Sequence, residues 1–347
     1  MAYSTIPKGS LYMNTKLYTG NGSTNNITGV GFQPDWVWIK NRGSANHYLF
    51  DVVRGVQKNI HSNENYAEVT EATTLTAFGS DGFTLSTDAD LNGNGASVVS
   101  WNWKAGTGQG SSNTDGSINT TYTSVNTTAG FSISSYTGSG ANATIGHGLG
   151  VTPNVVLVKC LSSTGNWKMH HTSLAPITSL NLNDTSAQIS TASVFNSMAT
   201  LNSSVFSVGT EGDTNSNGLT YVAYCFADVQ GFSKMGSYVG NGNVDGTFVY
   251  TGFKPAFVMV KNTSVSQDWY MLDNKRDISN VCDSYVTANN STAEGTYTLA
   301  DFLSNGFKLR DTGGASNASG NTFIYMAFAE NPFVATSGTT AVPVTAR

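Results

Sequence analysis

Large apolar residues alternate with small or polar residues in three well-separated segments of the chain. These segments are Val99-Ser-Trp101-Asn-Trp103, Val222-Ala-Tyr224-Cys-Phe226 and Ile324-Tyr-Met326-Ala-Phe328. A period of two is that of a β-strand with one face buried. A slip of one residue would turn every ring toward water, so the register is strongly specified. The pattern predicts three equivalent strands.

A second kind of strand follows a proline, again three times. The segments are Pro34-Asp-Trp-Val-Trp-Ile-Lys40, Pro153-Asn-Val-Val-Leu-Val-Lys159 and Pro255-Ala-Phe-Val-Met-Val-Lys261. Both faces are apolar, which predicts a strand between two layers, either in a sandwich core or against a neighbouring domain. Each lysine ends its strand, and we expect it to reach solvent or to protect the sheet edge.

The two patterns belong to one internal repeat, because tyrosines at the start of each copy recur at nearly the same intervals as the prolines. These tyrosines are Tyr18, Tyr136 and Tyr238. With helical periodicity nearly absent, the prediction is an all-β protein of three tandem antiparallel β-sandwich domains, jelly-roll-like and each folded in its own right. The predicted divisions are a lead-in (1–17), repeat 1 (18–105), a flexible Gly/Ser/Thr linker (106–130), repeat 2 (131–234), repeat 3 (235–334) and an extended tail (335–347).

Composition narrows the function classes. Only 11% of the 347 residues are charged, and the net charge is −5 without a basic cluster, which argues against nucleic acid as a partner. The N-terminus lacks the pattern of a signal peptide and no apolar run is long enough to span a membrane, so we expect cytoplasmic synthesis and no membrane insertion. Cys160 and Cys225 lie in strand-like segments and are expected to be buried thiols.

The sharpest polar recurrence is Asp-x-x-Arg. Asp51 and Arg54 match Asp273 and Arg276, whereas repeat 2 has His171 and Leu174 at these positions. A catalytic interpretation would make the aspartate a base and the arginine an anion clamp. The structural interpretation is an ion pair that fixes a loop. Because one repeat lacks the pair, we predict structural ion pairs.

Aromatic residues beside amides and hydroxyls are candidates for ligand contact. Trp167 and Trp269 are equivalent, and Tyr48 lies near the same place in repeat 1. An exposed ring there would suit a sugar, but the same residue could equally start a core strand.

Motifs for catalysis or for cofactors are weak. His170 and His171 are adjacent and would point to opposite faces of a strand, so a zinc site is not predicted. No Gly-x-Ser-x-Gly motif occurs, and Glu64, Glu68 and Glu71 lie in a polar loop without an aromatic platform. We therefore predict a protein that is not an enzyme and needs no cofactor or metal. A polysaccharide depolymerase is the minor alternative.

Several short sequence segments of the chain resemble a domain of unknown function in structural proteins of tailed, often marine, bacteriophages. They are Tyr-Thr-Gly-Asn-Gly (18–22), Gly-Phe-Gln-Pro-Asp-Trp-Val-Trp-Ile-Lys (31–40), Tyr-Leu-Phe-Asp-Val-Val-Arg-Gly (48–55) and Ala-Phe-Ala-Glu-Asn-Pro-Phe-Val (327–334). The resemblance covers 18–106 and 236–334. Repeat 2 departs from it, since it lacks the Asp/Arg pair and the Gly-Phe before its proline.

This resemblance implies a virion protein without catalytic residues to transfer. The first hypothesis is a tail-fibre or receptor-binding component that contacts a host surface glycan or protein through its loops. The second is a capsid head-decoration or head-fibre protein. Its other partners would be virion proteins, as a homo-oligomer such as a trimer, unless the three repeats themselves replace a trimer.

Overall fold

A computed structural model describes residues 4–332, and β-strands dominate it. The predicted tail at 335–347 lies outside these residues. Repeat 1 contains a 3₁₀ turn at Gly9–Leu11, strands β1 Met13–Thr19, β2 Asn25–Thr28, β3 Trp36–Asn41, β4 His47–Asp51, β5 Lys58–Asn59, β6 Val69–Thr70, β7 Leu75–Gly79, β8 Gly82–Leu85 and β9 Ser97–Trp103, and the short helix α1 Ala89–Asn92. The predicted lead-in is therefore part of the sheet, because β1 begins at Met13.

Repeat 2 follows the same plan. Its strands are β10 Tyr122–Asn126, β11 Phe131–Thr137, β12 Ala143–Gly146, β13 Val155–Cys160, β14 Lys168–His171, β15 Thr178–Asn181, β16 Ile189–Ser190, β17 Val205–Val208 and β18 Thr220–Phe226, with α2 Ala192–Phe195, a 3₁₀ turn Asn196–Met198 and α3 Gly212–Asn215.

In repeat 3, the regular elements of the described residues, up to 332, are all strands. They are β19 Ser233–Val239, β20 Phe248–Tyr250, β21 Phe253–Asn262, β22 Trp269–Asp273, β23 Cys282–Thr287, β24 Gly295–Leu303, β25 Gly306–Leu309 and β26 Thr322–Pro332. In the part of the chain that the structure describes, no helix has the length and apolar character to span a membrane.

The main sheets of the three repeats share one strand order. It is β1-β9-β3-β4 in repeat 1, β11-β18-β13-β14 in repeat 2 and β19-β26-β21-β22 in repeat 3. The ladders between these strands are antiparallel, so the predicted all-β, antiparallel class is confirmed. The strand after each proline lies inside its sheet, paired on both sides, as expected for a strand with two apolar faces.

One face of each main sheet contributes to a single hydrophobic cluster common to all three repeats. Trp36 of repeat 1 stacks on Tyr224 of repeat 2, with ring centroids 4.7 Å apart. Trp103 meets Phe328 of repeat 3 edge to face, at 5.7 Å. A cavity of about 10 Å³ inside this cluster would hold no more than one water molecule. The repeats are thus not packed as separate cores, because their inner faces cover one another.

The opposite face of the main sheet forms a separate cluster in repeats 1 and 2. In repeat 1, Val37 and Ile39 share this cluster with Phe83 of the small sheet β2-β8-β7. In repeat 2, Val156 and Val158 belong to a cluster that is separate from the shared one. In repeat 3, residues on both faces of β21 belong to the shared cluster. Repeats 1 and 2 therefore have a local outer core in addition to their share of the common core, whereas the core of repeat 3 is continuous with the common core.

The segment predicted to be a flexible linker is ordered. Part of it forms β10, which adds to the edge of the repeat 2 sheet beside β11. Its start is held by the buried Asp35, whose carboxylate accepts hydrogen bonds from the backbone N–H groups of Ala105 (2.7 Å), Thr107 (3.0 Å) and Gly108 (3.2 Å). The Gly and Ser content does not reveal that the segment is ordered, because its hydrogen-bond partner Asp35 is distant in sequence.

Candidate functional site

The Asp51–Arg54 pair lies between repeats 1 and 2, not at a surface. Arg54 Nε is 2.5 Å from Asp51 Oδ2, and both side chains are almost fully buried. Arg54 also contacts Glu68, at 3.0 Å, and the Leu49 carbonyl. The Tyr224 hydroxyl of repeat 2 donates to Asp51 Oδ2 at 2.7 Å. With these partners the carboxylate is saturated by donors, which is the geometry of a structural ion pair.

Asp273 and Arg276 repeat this arrangement between repeats 3 and 1. Arg276 Nε lies 2.6 Å from Asp273 Oδ2, again with both side chains buried. Here Trp101 Nε1 of repeat 1 donates to the same oxygen at 3.1 Å. The guanidinium of Arg276 also contacts Glu294, which binds Arg42 of repeat 1 through Nε and Nη2.

The interface between repeats 2 and 3 has neither the buried aspartate nor the side chain that donates a hydrogen bond to it in the other two interfaces. His171 replaces the aspartate, and Met326 stands where repeats 1 and 2 have Trp101 and Tyr224. His171 Nε2 contacts the Tyr325 carbonyl at 3.3 Å instead. Burial lowers the pKa of His171 to about 4, so the ring is neutral near pH 7. A thioether cannot donate a hydrogen bond to a carboxylate, so both changes suit each other.

The three strand-end lysines are buried, contrary to the prediction that they reach solvent. Their exposure is 0% at Lys40, Lys159 and Lys261. Lys159 Nζ donates to the carbonyls of Cys160 (2.8 Å), Gly165 (3.1 Å) and Asn65 (3.3 Å), the last in repeat 1. The lysines donate to clusters of backbone carbonyls at the ends of their strands and in adjacent loops.

Two further lysine contacts show the same role. Lys261 Nζ donates to the carbonyls of Gln267 and, across the interface with repeat 2, Thr185 at 2.8 Å. Lys40 Nζ donates to the carbonyls of Asn41 and Gly43 within repeat 1. Burial lowers the pKa of each of the three lysines to about 8.

The candidate ligand-contact aromatics are also buried, so the core alternative is what the structure has. Trp167 and Trp269 are 0% and 1% exposed, and Tyr48 is 8% exposed. Trp167 Nε1 donates to the His61 carbonyl of repeat 1 at 2.8 Å, and Trp269 Nε1 donates to the Asn181 carbonyl of repeat 2 at 3.0 Å. Neither ring offers a face to a ligand.

His47 is the third member of this set; the sequence places the repeat 1 equivalent near His47 and Tyr48, and the structure assigns it to His47 rather than to Tyr48. Its Nδ1 accepts from Trp38 Nε1 at 2.8 Å, which leaves Nε2 to donate to the Thr287 carbonyl of repeat 3 at 3.0 Å. Burial, followed by the charge of Lys40, lowers the pKa of His47 well below its usual value. Its position at the start of β4, equivalent to Trp167 and Trp269, was the available signal.

These side-chain contacts close a ring of three interfaces. Equivalent backbone hydrogen bonds accompany them: Ala45 N to Ser291 O, Gly165 N to Asn65 O and Gln267 N to Thr185 O, at 2.8–3.0 Å. A second set is Glu294 N to Arg42 O, Glu68 N to Leu161 O and Gln188 N to Thr263 O. Repeat 1 contacts repeat 3, repeat 3 contacts repeat 2 and repeat 2 contacts repeat 1 through matching residues. The chain thus has pseudo-three-fold symmetry.

A buried asparagine explains the Tyr-x-Gly-x-Gly motif. Asn92, Asn215 and Asn317 are equivalent and each is 0% exposed. In repeat 2, Asn215 Nδ2 donates to the carbonyls of Ala141 and Gly209, and its Oδ1 accepts from Ser139 N. Tyr136 donates through its hydroxyl to Thr214 O at 2.7 Å. The second glycine of each motif has φ between +64° and +72°, a conformation that favours glycine.

Other titratable residues are buried too. His170 and His171 lie on β14, and burial lowers the pKa of His170 to about 4. Cys160, Cys225 and Cys282 are buried and form no disulfide within residues 4–332. Within residues 4–332, His, Cys, Asp and Glu side chains form no group of three that could hold a metal ion.

One surface cleft differs from this network. It lies in repeat 3, has a volume of about 270 Å³ and is lined by side chains that include Gln267, Tyr270, Tyr285, Tyr297 and Asp311. Tyr297 is 49% exposed, whereas Asp311 is 3% exposed. Burial, then the neighbouring Tyr285, raises the pKa of Tyr270 to about 12, so its phenol is neutral at physiological pH.

Comparison with known proteins places the chain in one family. The family model described as Domain of unknown function (DUF7483) matches residues 8–332. The chain belongs to this family. Neither a curated protein nor a solved structure matches it. The DUF7483 match extends across all three repeats and the ordered segment between repeats 1 and 2.

Proposed function

We propose that this DUF7483 protein is a structural component of a bacteriophage virion surface, in a tail fibre or receptor-binding assembly, and that its loops contact the host. Within it, each repeat would be one jelly-roll-like β-sandwich unit. The supporting observation is that the polar groups that were candidates for chemistry cross-link the repeats internally. The Asp/Arg pairs, two of the three lysines and the tryptophans are buried and hydrogen-bonded at the interfaces. The resemblance to phage structural proteins supplies the setting.

A protein whose repeats are joined by buried polar contacts suits a particle that is exposed to variable salt concentrations. Ion pairs on a surface are screened at high ionic strength, whereas buried pairs are screened much less. Only 11% of the residues are charged, and several of the charged residues are committed to the interfaces. The stability of the ring should therefore depend little on salt.

The pseudo-three-fold ring also bears on assembly. Equivalent contacts join the three repeats of one chain, as they would join subunits of a trimer. We propose that one chain takes the place of a homotrimer and docks on a three-fold or six-fold axis of the virion. A homotrimer of the whole chain is the competing arrangement, and the mass of the purified protein by light scattering distinguishes them.

The first experiment locates the protein on the particle. Antibodies raised against the purified chain would be applied to virions produced in the host and viewed by immunogold electron microscopy. Label at the tail tip or fibres is the expected result. Label over the capsid would favour a head-decoration or head-fibre role instead, and virions without the protein by mass spectrometry would refute both.

The second experiment tests host contact. Purified protein is added to host cells before phage, and free phage is counted over time. We expect the native protein to slow adsorption, because it occupies the receptor, and heat-unfolded protein at the same concentration to have no effect. Unchanged adsorption at saturating native protein would contradict the receptor-binding part of the proposal.

A further inference from the structure

The cleft in repeat 3 lies where each of the other two repeats has a polar contact between two side chains. This contact is missing in repeat 3. In repeat 1 the equivalent place holds Tyr48, whose hydroxyl is 3.3 Å from Asp90 Oδ2. In repeat 2 it holds Lys168, whose Nζ is 3.3 Å from Asp213 Oδ2. Repeat 3 retains an aromatic residue, Tyr270, but has Ala315 in place of the acid. The shorter side chain leaves open space between β22 and the 311–316 turn.

The lining of the cleft combines aromatic rings with hydrogen-bonding groups. Tyr270 and Tyr285 stack with ring centroids 4.6 Å apart, and the more exposed Tyr297 lies beside them. Gln267, Thr296 and Ser316 add an amide and two hydroxyls. Gly314 faces the Gln267 amide so closely that a Cβ at this position would lie 2.7 Å from Nε2.

Asp311 contributes a buried carboxylate to the lining of the cleft. Its Oδ2 accepts from Gly313 N at 2.9 Å and from the Ser316 hydroxyl at 2.5 Å. Its Oδ1 is buried without a hydrogen-bond partner among the described residues. A buried acceptor without a donor is unfavourable, so a donor supplied by a ligand at the cleft wall would be stabilised there.

We propose that this cleft binds a single neutral sugar unit of a glycan on the host surface, an inference that rests on the proposed host contact. A sugar ring offers a C–H face for Tyr297 and hydroxyl donors for the carboxylate, with further hydroxyls for Gln267. The volume is near the lower end of small-molecule sites, which are roughly 300–1,000 Å³, and suits one ring rather than a long chain. The carboxylate disfavours uronic or sialic acids by like-charge repulsion.

The test uses the full chain on an array of neutral, acidic and amine-bearing glycans. The wild type is expected to bind neutral glycans only. Two variants address the site: Tyr297→Ala removes the exposed ring, and Ala315→Asp restores the acid of the other repeats and closes the space. Each should weaken binding by about tenfold or more. Tyr66→Ala changes a tyrosine of repeat 1 that is 62% exposed, compared with 49% for Tyr297, and should bind like the wild type.

The outcomes separate this inference from the proposed function. The absence of neutral glycan binding by the wild type overturns it, as does binding of acidic or amine-bearing glycans alone. Undiminished binding by both cleft variants, with unfolding transitions like that of the wild type, places the sugar elsewhere and also overturns it. If the native protein blocks phage adsorption but the cleft variants block it equally, host contact stands and the cleft inference fails. If the cleft variants lose glycan binding but the native protein does not block phage adsorption, the cleft inference stands and the receptor role is refuted.

Discussion

Residue identities at the three interfaces vary together. Where an aspartate is present, the next repeat supplies a donor, Tyr224 to Asp51 and Trp101 to Asp273. Where His171 replaces the aspartate, the equivalent residue of the next repeat is Met326. A buried charge needs several donors, so one partner cannot change without the other. This co-variation within one chain supports an interface role for Asp-x-x-Arg.

Removing one partner of the buried pair should be costly. We expect Asp51→Ala to lower the free energy of unfolding by about 3–5 kcal/mol, because Arg54 and the Tyr224 hydroxyl lose their acceptor. Lys234→Ala breaks the more exposed pair with Asp228 and should cost about 0–1 kcal/mol. Urea unfolding followed by tryptophan fluorescence measures both. Equal losses in the two variants would argue against a structural role for the buried pair.

The buried lysines predict a specific pH dependence. The pKa of Lys159 is lowered to about 8 in the folded protein from the ordinary 10.5, so the unfolded chain holds more protons between these values. The lysine contribution to unfolding free energy therefore rises as the pH increases from about 8 to 10.5. Lys159→Met should destabilise the fold by about 2–4 kcal/mol at pH 7, because three hydrogen bonds to carbonyls are lost, although Asn65 O keeps the bond from Gly165 N.

The pH experiment compares the wild type with Lys159→Met. The deficit of the variant should grow between pH 8 and 10, since only the wild type gains from this lysine, while other titrating groups cancel in the difference. The exposed Lys275→Met is the control and should show neither the initial loss nor its growth. A deficit that shrinks with pH would show that the folded pKa of Lys159 is not lowered.

At the scale of elements, each repeat has a polar clamp, in which a buried asparagine and a tyrosine hydroxyl join two turns. The asparagine that ends α1 or α3, and its equivalent in repeat 3, ties the Tyr-x-Gly-x-Gly turn to the turn before the last main-sheet strand. The tyrosine hydroxyl binds the carbonyl just before that asparagine in every repeat. The motif visible in the sequence is therefore half of a contact whose other half lies some 75 residues further on.

Truncating the asparagine should open this clamp. Asn317→Ala removes the amide that donates to the carbonyls of Asn243 and Asp311 and accepts from Asn241 N. We expect a loss of about 2–4 kcal/mol in unfolding free energy, since these backbone groups are left without partners. The exposed Asn94→Ala is the control and should stay within about 0.5 kcal/mol of the wild type. Calorimetric unfolding is a suitable measurement, and a neutral Asn317→Ala would refute the clamp.

The segment between repeats 1 and 2 offers a second element-scale prediction. Hydrogen exchange in peptides covering 105–108 and 122–126 should be slower than in the exposed loop 150–152, because their amides bond to Asp35 or to β11. Asp35→Ala should speed exchange at 105–108. Asp115→Ala, an exposed change in the same segment, should not. Fast exchange throughout 106–130 in the wild type would favour a flexible linker.

For the whole molecule, the shared core implies cooperative folding. Trp36, Tyr224, Phe257 and Phe328 belong to one cluster, so no repeat can unfold without exposing the inner faces of the others. We expect a single unfolding transition by calorimetry, with equal van't Hoff and calorimetric enthalpies. Residues 131–234 expressed alone should bind a hydrophobic dye, because their inner face is uncovered. Three separate transitions, or a well-folded isolated repeat 2, would contradict this.

Sequence patterns alone determined the β-class, the threefold repeat, the alternating strands and the Asp/Arg ion pairing. These follow from local periodicity and from recurrence, which a linear chain displays directly. The lysines were misjudged because a charged residue at a strand end usually reaches solvent, and here the neighbouring repeat covers it. The linker was misjudged because Gly and Ser do not reveal the carboxylate of Asp35 that orders it.

Only the tertiary structure decided how the three copies meet. The sequence allowed each strand with two apolar faces to lie within its own sandwich or against another domain, and in repeats 1 and 2 the fold uses one face for each. The ring of Trp167, Trp269 and His47 contacts, and the cleft left by Ala315, depend on residues far apart in the chain. Such contacts carry no local periodicity, so they arise only when the three sheets pack around one core.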